Sequence, residues 1–240
     1  MHDEAAFRRV AAISAFAAGL LSLAASVVSG LAVDFDFESL ENPVGMLTAG
    51  LDAGAIGLFR WGEILGVFGY CLLFIPLTLY LWYWLNPRSP RMVTLYTALA
   101  LTSIALCVIE SVVRISIWPP MMLAYPQAAE AQREVLQVVF RAMTDFTFEG
   151  LYAINSILGG LWLLGIGLIL RAERRALGIA AAIMGVAILG AGIGWLLRVD
   201  PLARLELLYF FQPFWLLWLG IVILRHAEKD VELVEMATSA

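Results

Sequence analysis

The polar and apolar positions of this chain fall into long blocks instead of alternating. Val10 to Val33 is a run of 24 residues without a charge, and comparable runs recur four times downstream. Another stretch, Met92 to Val113, is apolar apart from Glu110. A hydrocarbon core of about 30 Å takes about 20 helical residues to cross. The pattern therefore predicts six membrane spans, at about 10–33, 60–85, 92–113, 149–170, 176–197 and 207–224. The expected fold is all-α and polytopic, a single membrane-embedded domain over 1–240, because backbone polar groups in lipid must be satisfied within each helix. The first run reads as a retained helix. As a cleaved signal its apolar region is too long, and Asp3 and Glu4 are out of place in a basic leader.

The segments between the runs carry the punctuation. Asp34 to Phe59 is an acidic loop holding the turn signal Asn42-Pro43, with a short surface or re-entrant helix expected near Val44–Ala55. Pro76 should kink the second span, which ends in an interfacial aromatic belt of Tyr80, Trp82, Tyr83 and Trp84. Asn86 to Arg91 is a tight basic turn, and Trp118-Pro119-Pro120 should stop the third helix at the opposite interface. Gln127 to Phe148 sets Glu130, Arg133, Glu134, Arg141 and Asp145 against Val135, Leu136, Val139, Phe140 and Met143. That is an amphipathic helix before the fourth span, able to lie on the bilayer or cap the bundle. Its continuity with the fourth span is open from sequence. Arg171 to Arg175 is a second basic turn, and Arg198 to Glu206 a short polar link.

Composition agrees with this pattern. The chain is 62% apolar and 15% charged, where soluble domains hold about a quarter charged residues. A net charge of −5 argues against a nucleic-acid partner. An even number of spans puts both termini on one side. That side carries the short basic turns, so both termini are expected in the cytoplasm. Gly62-x-x-x-Gly66 and Gly190-x-x-x-Gly194, with Gly159, Gly160, Gly165 and Gly167, allow close helix approach, either within the chain or across a dimer seam. A homo-oligomer or membrane complex is compatible with this. Cys71 and Cys107 lie inside apolar spans, away from any plausible disulfide layer at the surface, and two isolated thiols make no metal motif.

Candidate chemistry concentrates in a charged layer near the ends of the spans opposite the termini. Glu110 and Arg114 are four residues apart on one helical face and can pair. Glu63, Glu149 and Glu206 occupy similar depths, Arg60 precedes Glu63 by three, and Arg141 precedes Asp145 by four. Asp145 and Glu149 are like charges on one face and need a cation from elsewhere, with Arg60 or Arg114 expected to supply it. Asn155, Ser156, Ser103 and Gln212 lie deeper and would line a polar throat. Buried ionisable groups in membranes usually face other helices or a wet cavity. The layer is thus either a set of ion pairs capping the bundle or an outward-facing pocket formed by Arg60, Glu63, Glu110, Arg114, Arg141, Asp145, Glu149, Asn155 and Gln212. Mixed signs at its mouth favour a lipid head group or other amphiphile. Tyr209, Phe210, Phe211, Phe214, Trp215 and Trp218 face lipid or line such a pocket.

No catalytic or metal set stands out. Both histidines, His2 and His226, lie in the tails, so no span offers a Ser–His pair, haem ligands or a zinc site, and no cofactor is expected. Three functions stay in view: a binding or accessory protein, a small oligomeric transporter or channel subunit, and a lipid-modifying enzyme, the last without a supporting motif. Phe59-Arg60-Trp61-Gly62, the kinked helix ending Leu79-Tyr80-Leu81-Trp82-Tyr83, and the run Phe214 to Val222 together give the chain a likeness. It resembles an uncharacterised bacterial family of six-helix integral membrane proteins, a domain of unknown function. That resemblance implies a multi-pass bacterial inner-membrane protein with no assigned activity.

Overall fold

The computed structural model describes residues 2–36, 43–49 and 51–238, and it contains no strand among them. Six helices are long and apolar enough to cross a membrane: Asp3–Ala32, Ala53–Leu85, Pro90–Gln127, Glu130–Leu170, Arg175–Leu197 and Asp200–Arg225. The chain is an all-helical, multi-pass membrane protein. Large apolar side chains such as Ile13, Leu95, Ile183 and Val186 point outward from the bundle, where lipid replaces water as their solvent.

Several spans are longer than the charge-free runs that predict them. The second begins at Ala53, where the Asp52 carboxylate accepts the Ala55 backbone N–H at 2.7 Å and caps the helix. The expected re-entrant piece shrinks to a short helix at Pro43–Ala49, and Glu38, Glu41 and Asn42 lie outside the described residues. The third helix runs from Pro90 to Ala124, straight through Pro119 and Pro120. The expected stop there is overridden by packing. Trp118 is 1% exposed, stacked on Phe59 at 5.6 Å and tilted against Phe140 at 5.4 Å. The amphipathic stretch is continuous with the fourth span. Glu130–Asp145 passes through a π-helical segment, Phe146–Tyr152, into Ala153–Leu170. Fully buried Phe140 seats it on the end of the bundle beside Trp118 and Met122, so it caps the helices.

The kink expected at Pro76 appears one turn earlier. Residues Val67–Leu72 are π-helical and the regular helix resumes at Phe74. Proline has no N–H to donate and crowds the carbonyl four residues back, which loosens the turn before it. The sixth span opens with a 3-10 segment, Arg204–Phe211, and becomes α-helical at Gln212. Gln212-Pro213 therefore sits at a helix start, where proline's missing donor costs nothing.

Two helix hairpins are zipped by small residues. A Cβ on Gly62 or Gly69 would strike Ser29 or Ser22 of the first span, which joins spans one and two. Between spans four and five, Gly160 faces Gly185, Gly167 faces Gly178, and Gly192 faces the Ala153 carbonyl. In both seams the contacts recur every seven residues, two helical turns, the period of left-handed antiparallel packing. The Gly190-x-x-x-Gly194 motif packs within the chain as well, against Leu205 and Ala203. At the opposite end of the bundle, Arg88 and Glu173 form an ion pair joining the two basic turns.

Cys71 and Cys107 are joined by a disulfide with Cα atoms 6.1 Å apart, which corrects the expectation of two isolated thiols. Their separation of 36 residues hid the pairing, because only the packing of span two on span three puts them at one depth.

Candidate functional site

A cavity of about 380 Å³ lies between the two hairpins, and all six spans contribute to its wall. Its lining on the third span extends from Ala100 to Trp118. At 1.5 Å of rise per residue that is about 27 Å of helix. The wall changes character with depth. Toward the end away from the termini stand Glu63, Glu110, Arg114 and Glu206 among aromatic rings, and further in come Phe74, Thr78, Ala100, Trp162 and Leu163.

Arg114 organises the charged end. Its Nη2 forms ion pairs with Glu110 Oε1 at 3.0 Å and Glu63 Oε2 at 3.2 Å, and its guanidinium lies over the Phe148 ring at 5.6 Å. Glu110 is 2% exposed, so this triad is buried. One-turn spacing sets Glu110 below Arg114, and packing of the second span on the third brings in Glu63. Glu206 is held separately. It accepts Tyr152 Oη–H at 3.1 Å and Trp195 Nε1–H at 2.8 Å on one carboxylate oxygen.

The throat below is lined by hydroxyls and amides. Ser103 Oγ lies 2.5 Å from Asn155 Oδ1, and Asn155 is in turn within hydrogen-bonding reach of Glu110. Tyr70 Oη meets Ser26 Oγ at 3.2 Å, and Ser156, which is buried behind the wall and does not line the throat as expected, meets Tyr209 Oη at 3.4 Å through its Oγ. Six buried polar atoms of wall residues have no protein hydrogen-bond partner: Thr78 Oγ1, Glu110 Oε1, Arg114 Nε, Trp118 Nε1, Trp162 Nε1 and Gln212 Oε1. Unpartnered polar atoms are costly inside a protein. Each belongs to a residue that lines the cavity.

The structure divides the sequence-derived candidates. Glu63, Glu110, Arg114, Asn155 and Gln212 line the cavity. Arg60, Arg141 and Asp145 are exposed and do not line it, and Arg60 does not pair with Glu63. Glu149 turns outward to Arg198, accepting Nη2 at 2.6 Å and Nε at 3.1 Å. The cation that Asp145 and Glu149 require is thus Arg198, not Arg60 or Arg114. Arg198 ends the fifth span in a left-handed conformation with φ 56°, which swings it toward the fourth. Hydrogen bonding and the charge of Glu149, with Asp145 nearby, hold the Arg198 guanidinium above its already high range.

The aromatic end escaped the sequence. Phe59, Trp118, Phe148, Trp195 and Tyr152 form a connected collar, with ring centroids 5.3 to 6.3 Å apart from one contact to the next. Of the aromatic set on the sixth span only Tyr209 and Phe210 reach the cavity, while Trp215 donates to the Leu177 carbonyl and Phe211, Phe214 and Trp218 are exposed. No pattern in the sequence marked it, and the local feature these residues share is visible only in the structure. Tyr70, Phe148, Tyr152, Glu206 and Tyr209 all come from π or 3-10 segments, which recur at functional sites.

Among the described residues no group of three or more histidine, cysteine, aspartate or glutamate side chains is arranged to hold a metal ion. No protein-family model matches the chain, and no curated protein or solved structure is similar to it.

Proposed function

We propose that this chain is an inner-membrane binding protein whose cavity takes an amphiphile, with the polar head at the charged end and the apolar part in the throat. The reading rests on the cavity itself. It is of ligand size, has convergent polar groups at one end and an aromatic and aliphatic wall at the other, and leaves buried polar atoms without protein partners. In this reading both termini are cytoplasmic and the charged end opens on the periplasmic side. A reporter active only in the periplasm is then expected to work when fused after Pro126 and to stay silent after Leu85.

The decisive experiment is native mass spectrometry of protein released from mild detergent, beside a variant with the cavity filled. Gly66→Phe suits this, because a Cβ at Gly66 meets nothing closer than Tyr70 Cδ2 at 3.8 Å. Wild type should retain an amphiphile that Gly66→Phe loses while staying folded. Retention of nothing by wild type, or equal retention by both, would sink the proposal.

A transporter subunit is the second reading, and one observation favours it. Three interrupted helices meet at the cavity, and transporters bind their substrates on such discontinuous helices. Counterflow in proteoliposomes separates the two, since a binding protein moves nothing across the bilayer.

A further inference from the structure

Building on the amphiphile-binding reading, we infer that the ligand's head is cationic: an amphiphilic organic amine or quaternary ammonium. Three carboxylates line the cavity, Glu63, Glu110 and Glu206, against the single guanidinium of Arg114. That guanidinium is already engaged by Glu63 and Glu110. The other nearby arginines do not redress the balance. Arg60 and Arg141 are exposed off the cavity wall, and Arg198 is held by Glu149. An anionic head would meet three carboxylates and one guanidinium already ion-paired to two of them, whereas a cationic head restores neutrality where water is scarce.

An independent feature points the same way. The collar from Phe59 through Trp118 and Phe148 to Trp195 and Tyr152 surrounds this end with aromatic faces. Such faces attract desolvated cations, and Arg114 already uses one of them. Gln212 has a buried amide oxygen without a protein donor, and Trp118 and Trp162 have buried indole N–H groups without acceptors, so the unpartnered groups of the wall favour neither sign. The deeper wall of Phe74, Leu163 and Ile104 suits an alkyl or aryl body.

The test uses three probes with one tail and different heads: decyltrimethylammonium, decylphosphocholine and decyl sulfate. Binding is read by tryptophan fluorescence of the full chain in phosphatidylcholine nanodiscs, with Gly66→Phe defining the signal that comes from the cavity. The ammonium probe should bind saturably and at least about tenfold more tightly than the sulfate. Glu206→Gln should weaken it by about tenfold, and should weaken the zwitterionic phosphocholine probe less. Glutamine can still accept from Tyr152 and Trp195, so this variant should fold, and Glu63→Gln provides a second test. Cavity-dependent binding of sulfate or phosphocholine as tight as that of ammonium would overturn the cationic assignment and leave the amphiphile reading standing. So would ammonium binding indifferent to both Glu→Gln variants. Absence of any cavity-dependent binding would overturn both.

Discussion

The fourth span presents two faces that solve opposite problems. On one, Gly160 and Gly167 bring its backbone against the fifth span, where even a methyl group on Gly160 would strike the Leu189 backbone. On the other, Asn155, Trp162 and Leu163 face the cavity, and the third span is met through side chains, Ser103 against Gly159 and the Tyr96 ring against Gly165. The closed seam consists of residues with almost no side chain. The open side carries aromatic rings, charges and amides too large and too polar to interlock. Lipid gives helices no hydrophobic reason to associate, so close packing holds them together and bulk keeps them apart. The cavity lies on the side of the fourth span away from that closed seam.

The largest test of this contrast is to fill the seam. Gly185→Leu would drive a side chain into the Leu164 backbone and should cost about 3 kcal/mol or more. The folded peak should vanish in size-exclusion chromatography, whereas Gly57→Leu, with nothing within 4 Å of its Cβ, should leave the peak unchanged. A folded Gly185→Leu protein would show that the seam is looser than described.

Next in size is the open side. Arg114→Met leaves Glu63 and Glu110 facing each other without their cation, which should cost about 3–5 kcal/mol in a detergent melt. Adding Glu63→Gln and Glu110→Gln should restore much of that loss. If Arg114→Met melts like wild type, the triad contributes nothing to holding the gap open.

The disulfide ties the first hairpin to the third span beside the cavity. Neither Cys71 nor Cys107 should react with a thiol reagent in denaturant until reductant is added. Cys71→Ser with Cys107→Ser should then lower stability by about 2–4 kcal/mol. The smallest effect belongs to Glu149→Gln. Its partner Arg198 is exposed at the rim, away from seam and cavity, so the melting temperature should not move.

The helical class, the multi-pass architecture and the rough places of the spans were legible in the sequence, because crossing lipid demands long apolar runs whatever the neighbours are. The Glu110–Arg114 pair was legible too, since its partners are one turn apart on a single helix. The small-residue seams were half legible. Spacings of four drew attention to Gly62-x-x-x-Gly66 and Gly190-x-x-x-Gly194, but the operative spacing of seven needs a facing helix to reveal it. The helix through Pro119 and Pro120, the Cys71–Cys107 bond, the transfer of Glu149 to Arg198 and the aromatic collar were decided by tertiary structure alone. Each depends on which helices are neighbours and at what depth, and span-length patterning contains neither quantity. Hydrophobic runs report a one-dimensional constraint imposed by the bilayer, whereas a site is a three-dimensional coincidence of side chains far apart in sequence.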